Sequence, residues 1–163
     1  MRILVTISVC WLLPCSSKAL EKPNILFVLF DDMGYGEPTS YRSTSLFKTP
    51  NIDRLAREGM RFTDAHSSAA SCTPTRYGFL TGRYPHRIGQ FGVLSTFSPP
   101  LIPDTRLTIA SYLKKNGYTT ACIGKWHLGM NWDRPKTKGK NKTKEKLKIG
   151  EKMTGGPNAI GFE

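Results

Sequence analysis

Apolar positions along this chain gather in short runs divided by turn-forming residues. Ile25 to Phe30 is a run of six consecutive apolar residues, with Ile and Val among them. Such a run predicts a strand buried on both faces, as in a parallel sheet. It stops at Asp31-Asp32, and Gly34, Gly36 and Pro38 follow. Thr49-Pro50-Asn51 opens a helix, with Ile52, Leu55 and Ala56 at helical spacing and Gly59 as the stop. Met60 to Ala65 predicts a second short strand. Cys72 sits just ahead of the next helical start, with Pro74 in the first turn and Gly82 past the end. Leu107 to Asn116 is a third helix, with Leu107, Ala110 and Leu113 on one face and Gly117 as its cap. Tyr118 to Ile123 is rich in β-formers and runs into Gly124-Lys125-Trp126-His127. Strand, helix, strand, helix, helix, strand predicts an α/β layered fold, a mostly parallel sheet flanked by helices.

The two ends of the chain read differently. Arg2 and the apolar stretch Ile3 to Leu13, followed by Ser17-Lys18-Ala19, read as a secretory signal over residues 1–19. The apolar stretch is too short for a membrane span, which takes roughly 20 residues. The competing reading is a buried N-terminal strand or helix. Exported destinations are extracellular, lysosomal or periplasmic. From Met130 the pattern dissolves, and residues 129–158 read as a Lys-rich loop.

Charge sharpens that last point. The formal net charge is +12, and eight lysines against Glu145 and Glu151 put +6 of it between Lys136 and Lys152. The tract has no aromatics, which argues against a nucleic-acid groove. A solvated loop and a patch attracting a polyanion such as a sulfated glycan both fit. Asn141-Lys142-Thr143 is a glycosylation sequon. Of four cysteines, Cys10 and Cys15 lie in the signal, which leaves Cys72 and Cys122. A cysteine that must stay chemically available should not be bridged, so no Cys72–Cys122 disulfide is expected.

Polar clusters punctuate the apolar elements. Asp31-Asp32 fits a hard divalent-cation site, Ca²⁺ or Mg²⁺, and fits a turn or helix cap as well. Cys72 alone is equally a small buried hydrophobe. Arg76 lies one helical turn on, where its guanidinium could hold an anion beside Cys72. Lys125 and His127 share a face of an extended segment. A cation beside a titratable imidazole suits an anionic substrate. His66 and His86 read as structural or surface residues.

These clusters carry a resemblance. Ser71-Cys72-Thr73-Pro74-Thr75-Arg76 through Thr81-Gly82 resembles the sulfatase signature, Cys-x-Pro-x-Arg followed by Thr-Gly. Gly117 to His127 resembles that family's second signature. Pro23-Asn24-Ile25-Leu26 into Asp31-Asp32-Met33-Gly34-Tyr35-Gly36 is similar to its first strand and metal pair. Thr49 to Ala56 is also typical, though shared more widely in the alkaline-phosphatase-like superfamily. The four blocks occur in the family's order over roughly Pro23 to Leu128.

The resemblance implies an alkaline-phosphatase-like sandwich, of which residues 20–163 are the N-terminal part. It implies a sulfuric ester hydrolase, arylsulfatase-like, in which Cys72 is oxidised to formylglycine by a formylglycine-generating enzyme. The hydrated aldehyde would attack sulfur, and its second hydroxyl would expel sulfate. Asp31, Asp32 and the modified Cys72 would bind Ca²⁺. Arg76 would stabilise the modified residue, Lys125 would bind sulfate, and His127 would hold a hydroxyl of the hydrate. The substrate would be a sulfated small molecule or glycan, with no nucleic acid and no stable membrane insertion after signal cleavage. The family's later Asp-Asn metal pair, His and Lys have no counterpart here. The chain is therefore expected to be a truncated fragment, inactive alone. A phosphatase or phosphodiesterase of the same superfamily is the remaining alternative, but it would carry Ser or Thr in place of Cys72.

Overall fold

Proline and glycine set the helix ends in this computed structural model, which describes residues 22–132 and 153–163. The signal-like first 19 residues and the centre of the Lys-rich tract lie outside the described residues. The chain divides into two compact units, Met1–Met33 and Gly34–Glu163.

In the second unit, helix α1 spans Pro50–Glu58, α2 spans Cys72–Thr81 and α3 spans Ile109–Lys115. Short 3₁₀ turns follow at Pro85–Ile88 and Pro157–Ile160. Pro50 opens α1 with its φ already helical and no N–H to lose. Gly82 closes α2 in the left-handed conformation that glycine adopts freely. These ends match the sequence pattern, except that Cys72 is the first helical residue of α2 and α3 is shorter than expected.

Helix α1 buries none of its residues. It is held by its N-terminal turn. Asp53 accepts from the Thr39 hydroxyl, from Ser40 N–H at 2.8 Å and from the Thr49 hydroxyl at 3.2 Å. These donors, the Thr39 hydroxyl first, hold the Asp53 carboxyl below its usual pKa against a smaller opposing desolvation. Helix α2 is the buried one. Thr73, Pro74, Tyr77, Gly78 and Leu80 face inward, leaving Cys72 and Arg76 on the opposite, half-buried side. Tyr77 and Leu80 form the core with Ile102, Leu128 and Ile160, and Trp126, Phe79, Leu101 and Phe162 pack against it.

No strand is assigned among the described residues. Ile25–Phe30 and Tyr118–Ile123 carry no assigned element, Met60–Ala65 includes a bend at Thr63–Asp64, and no ladder joins them, so the expected mostly parallel sheet is not seen among the described residues. A strand exists only through a neighbour's N–H and C=O groups, and extended backbone without one is not sheet. The six side chains of Ile25–Phe30 are all exposed, Leu26 at 88%. The one bridge among the described residues is antiparallel, Asn131 to Thr154, and it pins together the two ends of the Lys-rich segment. Elsewhere Thr120 exchanges bonds with the C-terminus. Its carbonyl accepts from Glu163 N–H at 2.9 Å, and its hydroxyl donates to Gly161 O at 2.5 Å.

Thr108 fastens α3. It forms a capping box with Ser111 and donates its buried hydroxyl to Ile160 O at 2.6 Å. Thr108→Val removes both the cap and the tie to the C-terminal turn. It should destabilise the chain by about 1–2 kcal/mol in urea titration. A change of only a few tenths would mean that the cap carries no weight.

Candidate active site

Helix α2 and the segment that follows Tyr118–Ile123 meet at the α2 N-terminus. The sequence Lys125-Trp126-His127-Leu128 splits its side chains. Trp126 and Leu128 go to the core, with Leu128 1% exposed. Lys125 is exposed and His127 half-buried. Two features hold the segment in place. Backbone bonds join Leu101 N–H to Leu128 O at 2.9 Å and Met130 N–H to Ser98 O at 3.1 Å. Between them Gly129 sits at φ +76, where a Cβ would overlap the Pro99 carbonyl. Trp126 Nε1 donates to Gly129 O at 2.9 Å.

This places Lys125 Nζ 3.2 Å from Cys72 Sγ, donating to it. One turn on, Arg76 donates from NH1 to the Lys125 carbonyl at 2.5 Å. The guanidinium therefore braces the backbone that presents the ammonium, a role the helix spacing did not reveal. His127 is linked to the same place one residue along. Its carbonyl accepts from the Thr73 hydroxyl at 2.7 Å, and its ring Nε2 meets Leu94 O at 2.9 Å. A carbonyl only accepts, so Nε2 carries the proton. In the neutral ring the lone pair is then on Nδ1, which is buried and has no hydrogen-bond partner. His127 adopts φ 53, uncommon for a residue other than glycine and found at functional sites.

Of the sequence-predicted residues, Cys72 and Lys125 are in contact, Arg76 bonds the Lys125 backbone, and His127 is tied to α2 through its carbonyl while its ring meets Leu94. Asp31 and Asp32 lie in the other unit and are described by themselves. Both are exposed, and Asp32 sits in a bend with φ 62. Among the described residues no three His, Cys, Asp or Glu side chains gather as a metal site. The sequence reading passed over Thr73 and Leu94. A hydroxyl at an inward-facing helix position was a readable signal for Thr73. Leu94 acts only through its backbone and left none.

No disulfide joins Cys72 to Cys122. The surface of Cys122 is open to solvent, yet its thiol is partly desolvated. That raises its pKa, while the Arg76 charge pulls the other way by favouring the thiolate. His66 pairs with Asp64 on the surface at 2.7 Å, and His86 stacks on Tyr84.

Comparison with known proteins gives this geometry a context. The family model described as Sulfatase matches residues 23–158. The chain is 44% identical over 110 residues to an N-acetylgalactosamine-6-O-sulfatase of Bacteroides thetaiotaomicron, covering 68% of this chain and 21% of that protein. It is 46% identical over 121 residues to the human steryl-sulfatase, covering 71% and 21% respectively. A solved structure reported for glycosaminoglycan metabolism by Bacteroides thetaiotaomicron superposes with a TM-score of 0.71 at 38% identity, over 87% of this chain and 27% of that one. The chain thus spans about a fifth of the length of the curated relatives it matches.

The raised Cys122 pKa sets a titration. Its alkylation by iodoacetamide, followed by mass spectrometry of the Cys122 peptide, should reach half-maximal rate above the pH of an ordinary thiol. Arg76→Gln removes the opposing pull and should move that midpoint higher still. A midpoint at or below the ordinary value would contradict the desolvation.

Proposed function

The chain belongs to the sulfatase family, and on that premise we propose that it carries the nucleophile-bearing part of a sulfuric ester hydrolase. The observation that supports this most directly is the 3.2 Å approach of Lys125 Nζ to Cys72 Sγ. An ammonium at that position would sit beside an anionic sulfate brought to residue 72. Sulfur in place of the usual serine or threonine, with Pro74 and Arg76 behind it, is the pattern that a formylglycine-generating enzyme converts. Conversion of Cys72 would supply an aldehyde whose hydrate offers one hydroxyl to attack sulfur and one to release it.

The residues of this chain take distinct parts in that reading. Lys125 draws a sulfate oxygen toward residue 72 and neutralises charge as the ester breaks. Arg76, through the Lys125 carbonyl, keeps the ammonium in reach. His127, whose buried Nδ1 has no partner, would hold a hydroxyl of the hydrate, as the resemblance implies. Asp31 and Asp32 are hard oxygen donors of the type that Ca²⁺ takes, and the left-handed turn at Asp32 leaves both exposed. Bound there, Ca²⁺ would polarise a sulfate oxygen. Two carboxylates make a partial donor set, so further ligands belong to the proposal.

Relatives named for a sulfated sugar and for a steryl sulfate stand at similar identity. The reading therefore commits to the sulfate ester and leaves the alcohol open. Residues 1–19 support export, and no helix among the described residues is long and apolar enough to cross a membrane.

Mass spectrometry of the Cys72 peptide, after co-expression with a formylglycine-generating enzyme, tests the proposal. The expected result is loss of the thiol sulfur and gain of an aldehyde. An unmodified thiol from a competent host overturns it. In converted protein that hydrolyses an aryl sulfate, Lys125→Ala should lower kcat/KM by about 10²–10³-fold.

A further inference from the structure

Thr73 is the second residue of α2 and is 0% exposed. Its hydroxyl is used twice. It donates to His127 O at 2.7 Å and accepts from Leu94 N–H at 3.1 Å. Leu94 in turn accepts from His127 Nε2 at 2.9 Å. The three residues close a ring of hydrogen bonds: Thr73 to the His127 backbone, the His127 ring to Leu94, and Leu94 back to Thr73. Each donor in the ring has one acceptor, so the direction of every bond is fixed. These contacts span 54, 33 and 21 residues of sequence, so none is a by-product of local structure.

We infer that Thr73 is a positioning residue, whose hydroxyl locks His127 in the Nε2-protonated tautomer and so leaves the buried Nδ1 bare. The chemistry follows from the ring. Leu94 O can hold only a protonated Nε2. The Leu94 peptide is itself held by the Thr73 hydroxyl, and so is the His127 backbone, at a left-handed φ that costs energy. Without the hydroxyl, the Leu94 N–H and the His127 carbonyl each lose a partner in a part-buried setting. The loop and the histidine are then free to drift apart, and the imidazole can interconvert tautomers. The inference rests on the sulfatase reading only for what Nδ1 meets. The tautomer lock itself belongs to this chain, whatever the reaction.

The test reads the ring, not turnover. The chain has three histidines, so ¹⁵N-histidine labelling gives a spectrum that His66→Gln and His86→Gln assign by elimination. In its neutral form His127 should show a single tautomer, with the proton on Nε2 and a bare Nδ1. Thr73→Ser keeps the hydroxyl and should keep that pattern. Thr73→Val keeps the shape and loses the hydroxyl, and its His127 signals should move to values averaged between the two tautomers. A neutral ring that is Nδ1-protonated or averaged in the unaltered chain overturns the inference. So does an averaged ring in Thr73→Ser, or an unchanged single tautomer in folded Thr73→Val. If Thr73→Val does not fold, the unaltered chain and Thr73→Ser still decide. Absence of an aldehyde at Cys72 would sink the sulfatase reading and leave this result untouched.

Discussion

Everything in the candidate site depends on one join, where the first turn of α2 is bonded to the Lys125–Leu128 segment. The join has two layers. Beneath, Leu128 and Trp126 pack with Tyr77 and Leu80 of α2, so burial of apolar surface brings the two elements together. Above, Thr73, Arg76 and Cys72 each make a polar contact to the same segment. Apolar packing sets distance but has no direction. The hydrogen bonds supply the direction, and they decide which side chain faces residue 72.

The division of labour along α2 follows from its period. Thr73, Pro74, Tyr77 and Leu80 occupy the inward face, while Cys72 and Arg76 lie one turn apart on the other. Thr73 is the exception that matters. It occupies a core position and carries a hydroxyl, so it must find partners there. It finds them in the backbone of the two segments that flank the site. A valine would satisfy the core and leave the site unanchored. Arg76 works in a similar way, because one of its donors goes to a backbone carbonyl and not to a side chain.

How much of this could be read from the sequence divides along the range of the interactions. Helix ends were legible, because Pro50, Gly59 and Gly82 act on their own neighbours. The placing of Cys72 and Arg76 one turn apart on α2 followed from helical spacing. Lys125 and His127 were identified as a pair from alternation; Lys125 meets Cys72 and the His127 ring meets Leu94, with His127 in a left-handed turn that alternation does not foresee. The sheet was not recoverable in the same sense. Ile25–Phe30 has the composition of a buried strand and lies exposed among the described residues. Composition records what a segment needs, and pairing depends on which segments stand beside it. Leu94 was invisible for a related reason, since every residue but proline has the same N–H and C=O.

The same distinction bears on what this chain can do chemically. The contacts that build the Cys72 site run between residues 49 to 54 positions apart, all within one unit. That unit holds a thiol, a cation and an imidazole bonded to Leu94 without help from Asp31 or Asp32. Cation binding asks for more oxygens than the two carboxylates of the first unit provide. Orientation of these side chains is therefore set within one unit, by a core whose residues come from α2, Ile102, the Lys125–Leu128 segment and the C-terminal turn. Among the described residues no three metal-ligating side chains gather.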